Sequence, residues 1–254
     1  TVINPSKADI ILKLDELNLK MKELKENELN RFPFISWTGS NSFYFTTENR
    51  IFLFDLSSSK LMKVNEYDSS GENVTVSGNS LNVAWTLENN LFVAIDGQAI
   101  QVNGDNDREI VYGQIPSRNE FGIDAGLYWS PDGRKLAFYR IDQREVTDYP
   151  LVDITSRIAE SSLIKYPMAG MKSEKLRLGI FDPLHNEIVY LQTEGPENQY
   201  ITSVTWDPSC RYIFAGILNR DQNYFRMNKY DASTGELVRK LFEESSDKYV
   251  EPMH

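Results

Sequence analysis

Tryptophan recurs in this chain within one local pattern, and this recurrence constrains the fold more than any other feature of the sequence. In each copy an apolar segment leads into the tryptophan, a short polar turn follows it, and an alternating strand comes next. Turns of this composition are typical of β-hairpins. The four copies are FISWTGSNSFYF, NVAWTLENNLFVAI, GLYWSPDGRKLAFYRI and SVTWDPSCRYIFAGIL, around Trp37, Trp85, Trp129 and Trp206. Their spacings of 48, 44 and 77 residues indicate one structural period, with an insertion in the last interval.

A second unit alternates with the tryptophan hairpins and reads as a strand, an aspartate-led turn and a returning strand. It occurs in RIFLFDLSSSKLMKV, RLGIFDPLHNEIVYLQ and MNKYDASTGELVRKLF, at Asp55, Asp182 and Asp231. A repeat of roughly 40 to 50 residues with four short strands is typical of a β-propeller blade. A β-sandwich is the alternative, but it does not explain why the two hairpins alternate in one order. We therefore predict an all-β propeller segment of about four to five blades, packed against one another through the tryptophans.

One segment near the start of the chain departs from the strand pattern. Residues 7–30 are highly charged but carry apolar residues at helical spacing, which predicts a surface helix. These apolar residues are Leu14, Leu17, Met21 and Leu24. We expect the helix to pack on the propeller or on a neighbouring element, and a partner-binding helix is the alternative.

A second segment interrupts the repeat itself. Residues 143–176 form an insertion between the inner and outer strands of one blade, and insertions of this size commonly contact another part of the protein. We assign residues 1–30 to an N-terminal helical segment and residues 31–254 to the blades with this insertion.

The charge and composition argue against several classes of function. The chain of 254 residues has 37 acidic and 27 basic side chains, and its net charge of −10 disfavours nucleic-acid binding, which needs a basic surface that displaces counterions. The single cysteine, Cys210, allows no internal disulfide and no thiolate cluster. We expect neither a metal nor a cofactor. The sequence also has no apolar run of about 18 residues and no charged-then-apolar leader, so we expect neither a membrane span nor an intact signal peptide.

The groups needed for catalysis are missing as well. The two histidines are His185, in a Pro-Leu-His-Asn turn, and His254, the last residue. Neither is placed to serve a nucleophile as a Ser-His-Asp or Cys-His arrangement requires. The sequence contains no Gly-x-Ser-x-Gly elbow, no His-Glu-x-x-His and no nucleotide-binding glycine loop. We therefore expect this chain alone to be catalytically silent.

A series of motifs between Asn119 and Asp182 points to a known family. WSPDGRKLAFYRID, TDYPLVD, KYPMAG and the strand LRLGIFD follow one another in this order. The series resembles the N-terminal domain of dipeptidyl peptidase IV and its bacterial relatives in the prolyl oligopeptidase family. The resemblance continues through YITSVTWDPS, LNRDQNYFRMNKYDASTGE and KYVEPMH, and it covers roughly residues 31–254.

The resemblance implies both a fold and a site. It implies an eight-bladed propeller that caps a C-terminal α/β-hydrolase domain, which contains the Ser-Asp-His triad. It also implies that a glutamate on a short helical turn before the WSP strand holds the α-ammonium group of a peptide substrate, and Glu120 stands at that place. Dipeptidyl peptidases of the family have two adjacent glutamates there, whereas this chain has Asn119-Glu120, which brings it nearer to the prolyl tripeptidyl aminopeptidases.

A physical argument stands beside this role of Glu120. An exopeptidase that releases short fragments must measure distance from the peptide terminus, and the ammonium is the only charge unique to that terminus. A fixed carboxylate acts as a ruler, and its ion pair gains strength in a cavity where water is scarce. The alternatives are a solvated turn carboxylate or a helix N-terminal charge. Asn119 and Arg118 are further substrate-binding candidates: Arg118 could orient Glu120, contact a substrate carbonyl or be a solvated partner.

Together these inferences predict the N-terminal propeller part of a serine exopeptidase that removes di- or tripeptides after proline. In this prediction the segment gates access and binds the substrate ammonium, and catalysis belongs to the C-terminal hydrolase domain. The predicted partners are that domain and peptides with a free N-terminus; a homodimer is left open. We expect a periplasmic, extracellular or cell-surface location. Two alternatives remain: a non-enzymatic scaffold propeller and a relative of the acyl-peptide hydrolase type.

Overall fold

The computed structural model describes residues 10–103 and 107–252, and β-structure dominates within them. Four antiparallel sheets follow one another along the chain, each built on four strands that pair in chain order, and the third sheet has a fifth strand at its side. We number them blades 1 to 4. This arrangement confirms the predicted all-β fold of propeller type, with four blades in the described part. His254 and residues 7–9 of the predicted helical segment lie outside the described residues.

The strands are numbered in chain order. Blade 1 contains β1 (Ile35–Trp37), β2 (Ser42–Thr47), β3 (Arg50–Asp55) and β4 (Lys60–Glu66), and blade 2 contains β5 (Glu72–Val76), β6 (Val83–Leu87), β7 (Asn90–Ile95) and β8 (Gln98–Gln101). Blade 3 contains β10 (Leu127–Trp129), β11 (Leu136–Asp142), β14 (Lys175–Asp182) and β15 (Glu187–Tyr190), with β9 (Ile110–Tyr112) also paired to β11. Blade 4 contains β16 (Tyr200–Trp206), β17 (Tyr212–Leu218), β18 (Tyr224–Asp231) and β19 (Leu237–Ser245). A separate hairpin joins β12 (Asp148–Asp153) to β13 (Glu160–Lys165).

The second strand of blade 3 shows why the sheets stack as blades. In β11, Leu136 and Phe138 join the apolar cluster shared with blade 2, while Ala137 and Tyr139 join the cluster shared with blade 4. Alternating side chains of one strand point to opposite faces of its sheet. Both faces of this blade are therefore buried, which explains its continuous apolar run LAFY.

The tryptophans occupy two different positions, which corrects the repeat inferred from the sequence. Three of them end the first strand of their blade, namely Trp37, Trp129 and Trp206. Trp85 lies instead in β6, the second strand of blade 2, and the position equivalent to Trp37 in that blade is Val76. β2 and β6 both lead into a tight Glu-Asn turn, so NVAWTLEN corresponds to SFYFTTEN and not to the segment around Trp37. The error arose because a polar turn and a strand follow the tryptophan in both segments.

The aspartate-led turns lie where the sequence predicted them, between the third and fourth strands of three blades. Each carboxylate accepts a hydrogen bond from a backbone N–H two or three residues later: Ser58 to Asp55 at 2.8 Å, Leu184 to Asp182 at 3.0 Å and Ser233 to Asp231 at 2.9 Å. The serine hydroxyls, with these N–H groups, hold the pKa of Asp55 and Asp231 below the usual aspartate range. Aspartate sets these turns because its side chain supplies a local backbone acceptor.

Hydrogen bonds join neighbouring blades within the apolar packing. The indole Nε1–H of Trp129 donates to the carbonyl of Thr75 in blade 2 (3.3 Å), and that of Trp206 donates to the carbonyl of Tyr128 in blade 3 (2.9 Å). Trp37 is 52% exposed, which corrects the prediction that every tryptophan packs blade against blade. In the described residues blade 1 has no preceding blade to receive its indole.

The predicted helix is present as α1 (Leu14–Glu23), and it packs on blade 1. Leu17 and Met21 are fully buried against the phenylalanines of β2 and β3, whereas Leu24 is partly exposed. The Glu16 carboxylate accepts a hydrogen bond from the Lys13 N–H (2.9 Å) and thereby caps the first turn. No helix in the described ranges is long and apolar enough to cross a membrane.

The insertion leaves blade 3 between its second and third strands. The two flanking strands, β11 and β14, pair directly, with Asp142 opposite Lys175. Residues 143–174 therefore lie outside the strand pairing of blade 3, and they contain the β12–β13 hairpin. The prediction placed the end at residue 176, but Lys175 and Leu176 already belong to β14.

Substituting Leu17 tests the contact between α1 and blade 1. We expect Leu17→Ala to lower the free energy of unfolding by about 2–5 kcal/mol, because the truncated side chain leaves a cavity among the phenylalanines. The matched control is Leu19→Ala in the same helix, where the side chain is 63% exposed and the expected loss is much smaller. Urea unfolding followed by circular dichroism measures both, and equal losses would contradict the packing.

Two tyrosines at the interface of blades 3 and 4 predict a loss of stability in alkali. Burial raises the pKa of Tyr128 to about 12 and that of Tyr139 well above its usual value. The unfolded chain releases these protons near pH 10, so the stability present below pH 10 falls as the pH rises towards 12. Tyr139→Phe is expected to reduce this fall and to lower stability at pH 7, because its hydroxyl donates to the Ile201 carbonyl (2.9 Å). Urea unfolding between pH 8 and 11 gives the slopes, and identical slopes would contradict the prediction.

Candidate functional site

The predicted site residues lie in a turn of unusual backbone geometry that precedes β10. Residues 117–119 form a single 3₁₀ turn with φ values of 53°, 55° and 64°, and Phe121 and Gly122 also have positive φ. Glu120 alone has an ordinary value, −83°. The left-handed region costs roughly 1–2 kcal/mol for a residue that is not glycine. The turn therefore depends on contacts from outside itself.

The first contacts come from the end of the insertion. The Glu174 carboxylate accepts hydrogen bonds from the Ser117 N–H (2.6 Å) and from the Ser117 hydroxyl (3.3 Å). The Arg118 guanidinium lies 5.0 Å from the ring centroid of Tyr166, in cation–π contact. These contacts hold the upstream half of the turn.

Blade 4 holds the downstream half. The Phe121 ring lies 4.4 Å from the ring of Tyr200, and the Thr202 hydroxyl donates to the Phe121 carbonyl. Ile123 is buried in the core between blades 3 and 4, and its N–H donates to the Glu120 carbonyl (3.1 Å). Glu120 therefore stands between two anchored segments.

The Glu120 side chain is exposed and lines a cavity of about 500 Å³. The other walls are Phe121, Gly122, Gln222 and the segment from Tyr249 to Pro252, which brings a second carboxylate, that of Glu251. Among the described residues, the Glu120 carboxylate has no hydrogen bond and no ion pair. The arrangement offers an unpaired negative charge beside aromatic side chains, which suits a cationic ligand.

A larger cavity, about 820 Å³, lies elsewhere, where β11 ends and β14 begins. It contains none of the predicted residues, and several of its charges pair with one another: Arg144 with Asp142 and Lys175 with Glu197. Size alone therefore does not identify the site, and the smaller cavity is the one that contains Glu120.

The structure brings some predicted residues together and separates others. The guanidinium of Arg118 lies against Tyr166 instead of pairing with the Glu120 carboxylate. Asn119, the next residue in the sequence, is exposed. Their part in substrate binding stays a prediction. The sequence analysis missed Glu174 and Glu251, although both lie within the matched motif region, because only the fold brings them near Glu120.

The described residues thus form consecutive propeller blades, with an insertion in the third and an anchored acidic turn before its first strand. Residues 28–254 match the family described as the dipeptidyl peptidase IV (DPP IV) N-terminal region, and the chain belongs to this family. The resemblance seen in the sequence is thus confirmed.

Named relatives agree with this membership. A probable dipeptidyl-aminopeptidase B of Tuber melanosporum (strain Mel28) is 29% identical over 188 residues, which cover 63% of this chain and 20% of the relative. A crystal structure assigned as a dipeptidyl aminopeptidase IV of Bacteroides ovatus ATCC 8483 superposes with a TM-score of 0.84 at 36% identity, covering 95% of this chain and 34% of that one. Porphyromonas gingivalis dipeptidyl peptidase 4 shares the fold, with a TM-score of 0.69 at 20% identity over 86% of this chain and 31% of its own. The chain thus spans about a third or less of each of these proteins.

The anchor from blade 4 predicts a change in local dynamics. We expect Thr202→Val to speed amide hydrogen exchange in residues 117–122 several-fold, because the buried hydroxyl no longer holds the Phe121 carbonyl. The control is Thr205→Val in the same strand, where the side chain is exposed. Exchange followed by mass spectrometry provides the comparison, and equal rates in the two variants would contradict the anchor.

Proposed function

We propose that this chain is the propeller part of a serine exopeptidase that removes di- or tripeptides from peptide N-termini after proline. In this proposal Glu120 binds the α-ammonium group of the substrate, and a C-terminal α/β-hydrolase domain supplies the catalytic serine. The observation that carries it is the Glu120 carboxylate, which has no partner within residues 10–103 and 107–252 and stands on an anchored turn at a cavity wall, at the position that the family resemblance assigns to substrate recognition.

The geometry of the turn suits a ruler for peptide length. An ammonium group has three N–H donors, and a carboxylate with unused acceptor oxygens can receive them. Because the turn is held on both sides, its carboxylate keeps a set distance to the rest of the protein. Phe121 and Tyr249 line the same cavity and offer aromatic surface to the first substrate side chain. Glu251 adds negative charge that attracts a cation.

The further parts of the proposal concern the whole protein. The blades gate access to the catalytic domain, so that only a free peptide end reaches the serine. The choice between dipeptides and tripeptides depends on the distance from Glu120 to that serine. The predicted periplasmic or extracellular location and the homodimer stay predictions.

The two rival functions differ in their need for Glu120. A scaffold propeller has no use for a carboxylate at a set distance from a catalytic centre, and family membership argues against it. A relative of the acyl-peptide hydrolase type cleaves blocked peptides, so it has no ammonium to bind and does not require Glu120.

A charge-neutral replacement tests the proposal in the full-length protein. We expect Glu120→Gln to lower kcat/KM for Xaa-Pro or Xaa-Xaa-Pro chromogenic substrates by on the order of 30-fold, because a hydrogen bond to a charged group contributes about 1.5–3 kcal/mol and the substrate ammonium loses its charged partner. The control is Glu187→Gln, an exposed glutamate on the outer strand of blade 3.

Blocked substrates supply the second arm of this test. We expect an N-acetylated version of the better substrate to be a poor substrate and to be almost unaffected by Glu120→Gln. Failure of the folded wild-type protein on both free-amine substrates would reject the exopeptidase. Equal activity of wild type and Glu120→Gln would favour the acyl-peptide hydrolase type.

A further inference from the structure

We infer that the end of the insertion, residues 166–174, is a buttress that holds Glu120 ready for the substrate and keeps a competing cation away from it. Within these residues Glu174 positions the backbone of the turn, and Tyr166 positions the side chain of Arg118. The inference rests on the proposed function, since it concerns how the Glu120 turn is maintained, and it gives the insertion a part in substrate recognition.

The conformation of the turn creates the need for a buttress. Three consecutive residues that are not glycine, 117–119, have left-handed backbone angles, and only Asn119 is of a type that tolerates them readily. A strained backbone persists only where its surroundings determine it. Released from its neighbours, the turn has other conformations of lower energy, and Glu120 changes direction in them.

Glu174 meets this need at the first residue of the turn. Its half-buried carboxylate accepts from both the N–H and the hydroxyl of Ser117, across 57 positions of sequence. A hydrogen bond to an ionised acceptor is about twice as strong as a neutral one. Thr202 and Tyr200 hold the other half of the turn from blade 4, so Glu174 completes the support.

Tyr166 meets a second need, which is electrostatic. Arg118 is two positions from Glu120, so its guanidinium is the nearest cation in sequence that could pair with the carboxylate in place of a substrate ammonium. Tyr166 holds that guanidinium by its ring face, 5.0 Å from the centroid, and Tyr149 of β12 packs on Tyr166 at 5.6 Å. Because Arg118 is engaged there, the carboxylate stays available.

The two contacts give distinct predictions in the full-length protein, with a free-amine chromogenic substrate. We expect Glu174→Ala to raise KM roughly tenfold with little change in kcat, because the turn that orients Glu120 loses a charge-assisted hydrogen bond and the catalytic serine lies elsewhere. Glu174→Gln keeps an acceptor oxygen and should recover most of the loss. The control is Glu160→Ala, an exposed residue of the same insertion, which should leave KM unchanged.

The electrostatic contact is tested by rescue. We expect Tyr166→Ala to raise KM severalfold by releasing Arg118 onto Glu120, and Tyr166→Phe to behave as the wild type because the ring face is retained. Adding Arg118→Ala to Tyr166→Ala should restore KM, which a merely structural loss of Tyr166 does not permit. If Glu174→Ala fails to fold, this series decides the electrostatic contact, and a small rise in KM for Glu174→Gln decides the backbone contact.

The outcomes separate this inference from the proposed function. If Glu120→Gln impairs the enzyme but the Glu174 and Tyr166 variants keep the wild-type KM, the buttress is wrong and the proposed function stands. If the Tyr166→Ala defect persists when Arg118 is also removed, the competing cation is wrong. If Glu120→Gln has no effect, both fail.

Discussion

The structure depends on the packing of each blade face against the next, with partly buried hydrogen bonds between their strands. Apolar side chains cover both faces of blade 3, and the indoles of Trp129 and Trp206 reach carbonyls in the preceding blade. Such a bond contributes only about 1 kcal/mol, but its geometry depends on the position of one blade relative to the next. The apolar contacts set the distance between neighbouring blades, and the hydrogen bonds set the register of one blade along the next.

This packing determines where the acidic turn, residues 117–122, lies. The turn leads into the first strand of blade 3, and blade 4 is close enough to hold Phe121 through Tyr200 and Thr202. The insertion returns to β14 beside the same turn and brings Glu174 to Ser117. A left-handed backbone that is unfavourable alone is thus maintained by two neighbours, and the energy of blade packing supports the geometry of the site.

Much of this could be read from the residues, with identifiable exceptions. The aspartate turns were predicted correctly because the carboxylate and the N–H groups that it accepts are only two or three residues apart. Trp85 was placed in the wrong strand because a polar turn and a further strand follow it, as they follow Trp37. The local sequence pattern does not show whether a strand is the first or the second of its blade. Arg118 was considered as a partner of Glu120, since sequence proximity cannot reveal that Tyr166 lies over its guanidinium.

The sequence by itself determined the all-β class, the propeller type of the fold, the presence of the N-terminal helix, the position of the insertion and the family, because these depend on turn chemistry, side-chain periodicity and motifs within short stretches. It also singled out Glu120 through the motifs around it. Only the tertiary structure decided that this carboxylate is unpaired among the described residues, that it shares a cavity with Glu251, and that Glu174 and Tyr166 brace its turn. Those relations join residues tens to more than a hundred positions apart, and the packing of whole blades brings them within reach.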